Sequence, residues 1–339
     1  MRTKNFFKLF CCLLVLNCCK APENKPVAAT KQIEVDSSKT KFELINKRIV
    51  DDPNNGDLYL ERAEFYKNNN QIVKGIEDIY RAISIDSLNA KYQLTLGEYC
   101  YLATDVVTAK KAIEKSIAID KKNPEAYIKL AEIYLIVRDY KNALASVNTA
   151  LKIDERLESG YFMKGFIFKE MRDTLAALSS FQTAIEVNPN FYDAYIMLGI
   201  INASKRNSIA EEYYKTALTL KPKSAEALYA LGMFYQENNK PEKAIETYSQ
   251  LKTLDPKNAL ADYNTGYIYL EILEDNKFAI ESFTNAIAKL PTYAEAYYNR
   301  GLAYERMGIN ENALADYKKS LSLKSNYDLA LEGMNRLVK

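Results

Sequence analysis

Residues 290–304 of the chain are LPTYAEAYYNRGLAY. Three earlier stretches follow the same pattern: NPNFYDAYIMLGI at 188–200, KPKSAEALYALGMFY at 221–235 and DPKNALADYNTGYIY at 255–269. Each stretch has a proline in its second position and a glycine ten residues later, and the four prolines are 33, 34 and 35 residues apart. A pattern that recurs at a fixed period of this length indicates a chain of structural repeats, each packed on its neighbours.

Small residues recur in step with these prolines. The chain divides into eight units that start at Gly56, Ala90, Pro124, Glu158, Tyr192, Ala225, Ala259 and Ala294. Positions 8 and 20 of every unit are glycine or alanine. Two helices approach closely only where side chains are small, so we expect these positions to be the contact points of a helix pair. Six of the eleven glycines occupy position 8, although glycine inside a helix costs about 1 kcal/mol relative to alanine.

Large aromatic residues alternate with these small ones. Position 11 carries Tyr66, Tyr134, Phe168, Tyr235, Tyr269 and Tyr304, and position 24 carries Phe181, Tyr214, Tyr248, Phe283 and Tyr317. Because they recur at fixed positions of the repeat, we expect them to fill the core rather than to form a binding cage.

The pattern resembles the tetratricopeptide repeat (TPR), a unit of 34 residues that forms two antiparallel helices. The resemblance implies an all-α fold, a TPR α-solenoid in which the helix-turn-helix units form a right-handed superhelix. It covers residues 56–327 in eight units: 56–89, 90–123, 124–157, 158–191, 192–224, 225–258, 259–293 and 294–327.

Each end of the array is expected to carry a capping helix, because arrays of this kind need a covered end for solubility. Residues 39–52 resemble the second half of a degraded repeat, with Phe42, Ile45 and Ile49 on one helical face. Residues 328–339 resemble a lone C-terminal cap, and we expect Leu331, Met334 and Leu337 to face the last unit.

The first residues of the chain predict export. Arg2, Lys4 and Lys8 precede an apolar run over residues 9–16, which is too short for a bilayer that needs about 20 residues. A basic start followed by a short apolar core is typical of a secretory signal. The residues that follow, Leu-Asn-Cys-Cys, resemble the lipobox of bacterial lipoprotein signals. We therefore predict a signal peptide over 1–18, lipidation at Cys19 with Cys18 as the alternative, and a flexible tether over 19–38.

Compartment follows from the same resemblance. Lys20 follows the predicted lipid-bearing cysteine, whereas aspartate there is the familiar signal for retention in the inner membrane. We therefore expect a bacterial envelope protein that is held to the outer membrane by its N-terminal lipid. The sequence fits either the periplasmic or the outer side of that membrane.

Charge and composition exclude several functions. Removal of residues 1–18 leaves 43 basic against 44 acidic side chains, and such a balance has no electrostatic footprint for nucleic acid. The chain contains no histidine, so it has no histidine-based acid–base pair or metal ligand. Cys100 occupies a core position of the repeat. We predict no enzymatic activity, no catalytic residue, no cofactor and no metal.

The resemblance implies that positions 2, 5, 9, 12 and 13 of each first helix line a concave groove. Position 9 is acidic in the first three units, as Glu64, Glu98 and Glu132. In the last five units positions 5 and 9 are apolar: Phe162, Phe166, Ile196, Ile200, Tyr229, Met233, Tyr263, Tyr267, Tyr298 and Leu302. A contiguous exposed stripe of this kind usually marks a site for a partner, so we predict a protein-binding groove at these ten residues.

Two interpretations of the stripe stay open. In the first, the chain is a scaffold or adaptor that binds a protein partner of the envelope, as a peptide or an amphipathic helix, in outer-membrane assembly, secretion or cell-wall machinery. In the second, the stripe is the subunit interface of a structural homo-oligomer. The acidic end of the groove either binds a basic ligand or is solvated.

Overall fold

The computed structural model of the protein describes the backbone of residues 29–338 and the side chains of residues 40–338. Over these residues the secondary structure consists of α-helices joined by turns. The helices are α1 (Ala29–Asp51), α2 (Gly56–Asn68), α3 (Ile72–Ile85), α4 (Ala90–Leu102), α5 (Val106–Ile119), α6 (Pro124–Ile136), α7 (Tyr140–Ile153), α8 (Glu158–Glu170), α9 (Thr174–Val187), α10 (Tyr192–Ser204), α11 (Ile209–Leu220), α12 (Ala225–Glu237), α13 (Pro241–Leu254), α14 (Ala259–Glu271), α15 (Asn276–Lys289), α16 (Ala294–Arg306), α17 (Asn310–Leu323) and α18 (Asp328–Leu337). The predicted signal peptide, Cys18, Cys19 and the first ten tether residues lie outside the described part.

The described helices belong to two compact units. The first unit ends at Lys121 and contains α1–α5, and the second begins at Lys122 and contains α6–α18. Within each unit the helices pack as consecutive pairs, and the second helix of one pair packs on the first helix of the next. The all-α solenoid of helix pairs predicted from the repeats is confirmed. The first helix of each pair begins at the residue where a sequence unit starts, as α2 does at Gly56.

A glycine of the first helix lies directly against an aromatic ring of the second helix in five of the pairs. A Cβ atom built on Gly199 would lie 2.5 Å from the ring of Tyr214. The other four contacts are Gly165 with Phe181, Gly232 with Tyr248, Gly266 with Phe283 and Gly301 with Tyr317. Real Cβ atoms essentially never come within 3.0 Å of another heavy atom, so in most of these pairs no alanine fits unless the ring moves.

Position 8 is therefore matched to position 24 across the pair in seven of the eight units; in the second unit Gly97 faces the aliphatic Ile113. Where position 8 is alanine, as at Ala63 and Ala131, position 24 is the aliphatic Ile79 or Val147, and all four residues are fully buried. The backbone of position 20 is close as well, since the carbonyl oxygen of Ala313 lies 3.2 Å from a Cβ built on Gly301. The expectation that positions 8 and 20 meet thus captures only part of the contact.

The turn inside each pair repeats one backbone geometry. One residue per turn has a positive φ between 54° and 73°: Asn70, Thr104, Arg138, Arg172, Arg206, Asn239, Glu274 and Gly308. The amide that follows it bonds back to a carbonyl five residues earlier, as Asp139 N does to Tyr134 O at 2.8 Å, which satisfies a helix end. In the seventh unit, which is one residue longer, Asp275 N reaches back six residues to Tyr269 O, so the extra residue is absorbed in the turn.

The first helix starts earlier than the sequence suggests. Helix α1 runs from Ala29, ten residues before the predicted start at 39, so the prediction of a flexible tether is wrong for residues 29–38. This segment contains no glycine or proline and several good helix formers. Further along α1, Ile45 and Ile49 are buried against Leu58 and Tyr59 of α2. No helix within residues 29–338 is both long and apolar enough to span a bilayer.

The C-terminal helix packs on a face that only partly matches the predicted one, since Met334 and Leu337 are half-buried and Leu331 is not. Ala330 and Gly333 are buried, and a Cβ on Gly333 would lie 2.6 Å from Tyr317. Leu331 is exposed, so the prediction that it faces the last unit is wrong. A helix turns by about 100° per residue, and the contact is made one residue earlier, at Ala330.

The contact between Gly232 and Tyr248 generates a first prediction. Intrinsic helix propensity favours Gly232→Ala by about 1 kcal/mol, but a Cβ 2.6 Å from the ring is an overpacking change, which costs about 1–3 kcal/mol. We expect a net loss of stability, measured as a lower midpoint of urea denaturation by circular dichroism. The control is the same substitution in a Tyr248→Val background, where the alanine should be neutral or stabilising. An equal effect in both backgrounds would refute the matching of the two positions.

Candidate partner-binding face

The ten apolar residues predicted to bind a partner all lie in the second compact unit, on the first helices α8, α10, α12, α14 and α16. We call the surface formed by positions 2, 5, 9, 12 and 13 of these five helices the inner face. The spacing of these positions places them on one side of a helix. First helices of neighbouring pairs also contact each other, as α10 does α12 and α14 does α16, which brings their inner-face residues side by side.

Position 5 of the inner face is largely covered by the chain itself. The ring of Tyr263 lies 5.6 Å from Phe283 and 4.7 Å from Tyr293, the residue just before α16. Tyr298 is flanked in the same way by Tyr317 and Tyr327. Three other residues follow this arrangement in whole or part: Phe162 between Phe181 and Phe191, Tyr229 beside Tyr248, and Ile196, which is buried.

The prediction that all ten residues of the stripe are exposed is therefore wrong. Of the ten, Ile196 is buried, eight are half-buried, and Tyr267 alone is exposed, at 38%. At Phe162, Tyr263 and Tyr298 the physical reason is that an aromatic residue just before the following helix covers the ring at position 5. Whether the ten residues bind a protein stays a prediction.

Position 9 supplies the accessible apolar surface. Phe166 packs edge-on against Phe162 at 4.9 Å, with the Lys169 ammonium 5.4 Å from its centroid. Ile200, Met233 and Leu302 are half-buried. Together with Tyr267 these side chains form an interrupted apolar row along the five helices.

Two buried asparagines, which the sequence analysis missed, fix tyrosines of this region. Asn264 donates to the hydroxyl of Tyr248 at 3.2 Å and to the sulfur of Met233 at 3.4 Å, and Asn299 donates to the hydroxyl of Tyr263 at 2.9 Å. Burial raises the pKa of Tyr263, so its phenol is neutral at physiological pH. Both asparagines occupy position 6 of adjacent units. This recurrence is the sequence feature from which their role could have been predicted.

Carboxylates dominate the polar part of the inner face. It carries seven of them, Glu170, Asp193, Glu226, Glu237, Glu271, Glu295 and Glu305, against two cations, Lys169 and Arg306. Some are neutralised within the chain: Arg306 donates to Glu271 at 2.7 Å, and Lys324 to Glu295 at 2.8 Å. The face therefore has an excess of negative charge.

Two of these carboxyls are poorly solvated. The protein atoms around Glu226 and Glu237 penalise the ionised form and raise the pKa of both groups, although both residues are exposed. Negative charge on Asp193 adds to the effect at Glu226, while a hydrogen bond from Tyr192 opposes it. A cation placed near either carboxyl would favour its ionised form.

A cleft of about 350 Å³ opens at the long turn of the seventh unit. It is lined by Leu270, Glu271, Glu274, Asn276 and Arg306. The side-chain oxygen of Asn276 is buried and has no hydrogen-bond partner among the described residues. Arg306 pairs with Glu271 in this lining at 2.7 Å, so Glu274 is the carboxylate of the cleft that has no lysine or arginine of the described residues within 4 Å.

The predicted acidic end of the groove divides between the compact units. Glu64, in the first unit, pairs with Lys67 of its own helix and accepts from the hydroxyl of Tyr99 at 3.2 Å. Burial opposes its ionisation, but the hydrogen bond and charge of Lys67, together with hydrogen bonds from Tyr99 and Asn68, outweigh burial and lower the pKa of Glu64. Glu98 is half-buried in the same unit. Glu132, in the second unit, accepts from Lys129 at 3.3 Å, and burial raises its pKa.

Cys100 is 3% exposed, and burial raises the pKa of its thiol. Both observations are those of a core side chain rather than of a reactive nucleophile.

Comparison with known families supports the repeat assignment. Models of the tetratricopeptide repeat match residues 124–156, 159–191, 202–263 and 294–327, and a model described as TPR repeat matches residues 273–308. A curated relative, Tetratricopeptide repeat protein 6 from Homo sapiens, is 42% identical over 55 residues. The match covers 16% of this chain and 11% of the relative, so the chain spans about a tenth of that protein.

Solved structures share the fold. The C-terminal part of a TPR repeat-containing protein from Cytophaga hutchinsonii is similar with a TM-score of 0.61 and 17% identity, over 71% of this chain and 99% of that one. A chain of the APC/C hetero-tetramer Cut9–Hcn1 is similar with a TM-score of 0.51 and 17% identity, over 85% of this chain and 56% of that one.

Glu237 and Glu211 should affect stability in opposite directions. Desolvation raises the pKa of Glu237, so its contribution is favourable at low pH and is lost as the pH rises through its folded pKa. Hydrogen bonds from Lys215 and Lys240 lower the pKa of Glu211 to about 2. Its contribution to stability is therefore fully present above the unfolded pKa and is lost as the pH falls from there to the folded pKa.

We therefore expect Glu237→Gln to raise the thermal midpoint at neutral pH and Glu211→Gln to lower it. The first difference should vanish below about pH 4, where the unfolded carboxyl is also protonated; the second should shrink from about pH 4 downward and be lost near pH 2. Thermal denaturation from pH 7 downward measures both. Changes of the same sign at neutral pH would contradict the assignment of the two environments.

Proposed function

Because the chain belongs to the tetratricopeptide repeat family, whose members generally act as non-catalytic scaffolds, we propose that it is a non-enzymatic adaptor that binds a protein partner on its inner face. The observation that carries this proposal is the apolar row at position 9, which runs over five successive first helices. Phe166, Ile200, Met233 and Leu302 are half-buried and Tyr267 is exposed, so each can still gain contact area. Burial of apolar surface is worth about 25 cal/mol per Å².

The shape of the row favours an elongated partner segment. A row that crosses several helices is matched by an amphipathic helix or an extended peptide, which places apolar side chains at regular intervals. The partly covered rings at position 5 support the row from below, so the surface is preorganised, which lowers the entropic penalty of binding.

We place this adaptor in the bacterial envelope, anchored by a lipid on Cys19, with Cys18 as the alternative. The support for this placement is the leader sequence alone: a basic start, a short apolar run and a lipobox-like end. Lys20 favours the outer membrane over the inner one. The proposed pathways are outer-membrane assembly, secretion and cell-wall machinery, in which the adaptor would hold a partner near the membrane.

The partner-binding proposal is tested by placing a charge in the apolar row. We expect Tyr267→Arg to abolish capture of envelope proteins by the immobilised chain, because the guanidinium cannot be buried against the partner's apolar side chains. The matched control is Phe278→Arg in the same unit, at a ring that is 52% exposed on the second helix. It should leave capture intact. Equal capture by both variants would contradict the proposal, and recovery of the chain alone would favour a homo-oligomer.

The lipid anchor is tested by two serine substitutions. Cys19→Ser should remove incorporation of labelled palmitate and release the chain from the membrane fraction, because serine has no thiol to alkylate. Cys18→Ser, one residue away, should retain both. Retention of the label in Cys19→Ser together with its loss in Cys18→Ser would move the site to Cys18, and retention in both would refute the anchor.

A further inference from the structure

We infer that the segment bound by the inner face is a basic amphipathic helix of the partner protein. This inference rests on the proposed function of the face and adds the chemistry of its ligand. It follows from where the charges lie on the face, from the environment of three of them, and from the cleft at the end of α14.

The carboxylates form two rims. Asp193, Glu226 and Glu295 occupy position 2 of their helices, and Glu170, Glu237 and Glu271 occupy position 13. Eleven residues of α-helix separate the two positions, which is about 16 Å. The apolar residues of positions 5 and 9 lie between them. A helix about 10–12 Å in diameter that crosses the five first helices along the apolar row therefore has carboxylates on both sides.

The charge of such a helix complements the two rims only if its flanks carry lysine or arginine. No lysine or arginine of the described chain lies within 4 Å of Asp193, Glu226 or Glu237, whereas Glu170, Glu271 and Glu295 each have one. An acidic helix bound between the rims would be repelled by the carboxylates on both sides. Lysine or arginine on the flanks would instead compensate these three carboxylates, of which Glu226 has only the more distant charge of Lys221 and Glu237 only that of Arg206.

The aromatic floor adds a second attraction for cations. Of the rings between the rims Tyr267 is the exposed one, and a lysine or arginine over its face is attracted by the negative face of the π-system. The chain already uses this contact elsewhere, since the Lys324 ammonium lies 4.7 Å from the centroid of Tyr327. Apolar and basic residues of one ligand thus find partners on the same surface.

The cleft gives one basic side chain a defined end point. Leu270 and Glu271 belong both to the inner face and to the wall of the cleft. Arg306 belongs to the same wall and is paired with Glu271, whereas Glu274 has no lysine or arginine of the described residues within 4 Å. A lysine or arginine that enters from the inner face would pair with Glu274, which an acidic or apolar side chain would leave uncompensated.

The test uses synthetic helices as probes. Fluorescently labelled peptides of about 18 residues, or five helical turns, carry leucine on one face and either lysine or glutamate on the other; a third peptide scrambles the leucine–lysine sequence. Binding to the full chain, carrying Cys18→Ser and Cys19→Ser so that no detergent is needed, is followed by polarisation at low and high salt. We expect the leucine–lysine helix alone to bind, and its affinity to fall with salt.

A matched pair of variants locates the effect. Glu226→Gln with Glu237→Gln should weaken binding of the leucine–lysine helix about fivefold or more, the loss expected for two partly solvated ion pairs, and reduce its salt dependence. Glu242→Gln with Glu246→Gln removes the same charge from the exposed side of α13 in the same unit and should leave the affinity unchanged. Equal weakening by both pairs would overturn the inference.

The remaining outcomes separate this inference from the proposed function. If the lysine and glutamate helices bind equally well, the ligand is recognised without regard to charge, so the inference fails and the adaptor proposal stands. If the scrambled peptide binds as well as the helix, the attraction is not amphipathic and the inference fails. If no peptide binds, the inference fails, and the capture experiment with Tyr267→Arg still decides the proposed function.

Discussion

The second compact unit depends on the contact between a glycine of one helix and an aromatic ring of its partner. Gly232 permits the ring of Tyr248 to approach the backbone of α12 where any Cβ atom would clash. The same ring contacts Tyr229 of the inner face, whose centroid is 6.4 Å away. Backbone, buried ring and surface ring thus contact one another in series, and the same arrangement recurs in the pairs that carry Phe181, Phe283 and Tyr317.

These contacts link the stability of the core to the shape of the inner face. The rings of the inner face are the outermost layer of the core, so their orientation is set by packing before a partner arrives. Tyr263 is held by Phe283, by Tyr293 and by the amide of Asn299. A surface fixed in this way loses little conformational entropy on binding. Its polar rims are acidic, and the chain neutralises only part of that charge, which is the basis for proposing a basic ligand.

Much of the fold was predictable from the spacing of glycine, alanine and proline. The repeat period places the start of α10 at Tyr192 and of α16 at Ala294, because each helix pair must restart at the same point of the repeat to keep its contacts. The ends were less predictable. Helix α1 extends back to Ala29 and α18 turns Leu331 to solvent, since outside the array no repeat fixes where a helix begins or which face it buries.

The candidate site was predictable in its residues but not in its exposure. Positions 5 and 9 were identified from the repeat, yet the covering rings Phe191, Tyr293 and Tyr327 belong to the junction between units, where the sequence varies. A one-dimensional pattern does not say which ring lies over which. The pairing of aromatic residues at position 24 with glycine at position 8, and of Ile79 and Val147 with alanine, was visible in the sequence and is explained only by the contact distances.

The most direct test of the account is photo-crosslinking in living cells from p-benzoylphenylalanine placed at position 267, with position 278 of the same unit as the reference. Adducts identified by mass spectrometry report what lies against each ring. If the inner face binds a protein partner, a different protein is trapped from position 267 and not from position 278. Adducts of the chain with itself alone, or the same set of adducts from both positions, would contradict the inner face as the site of a partner.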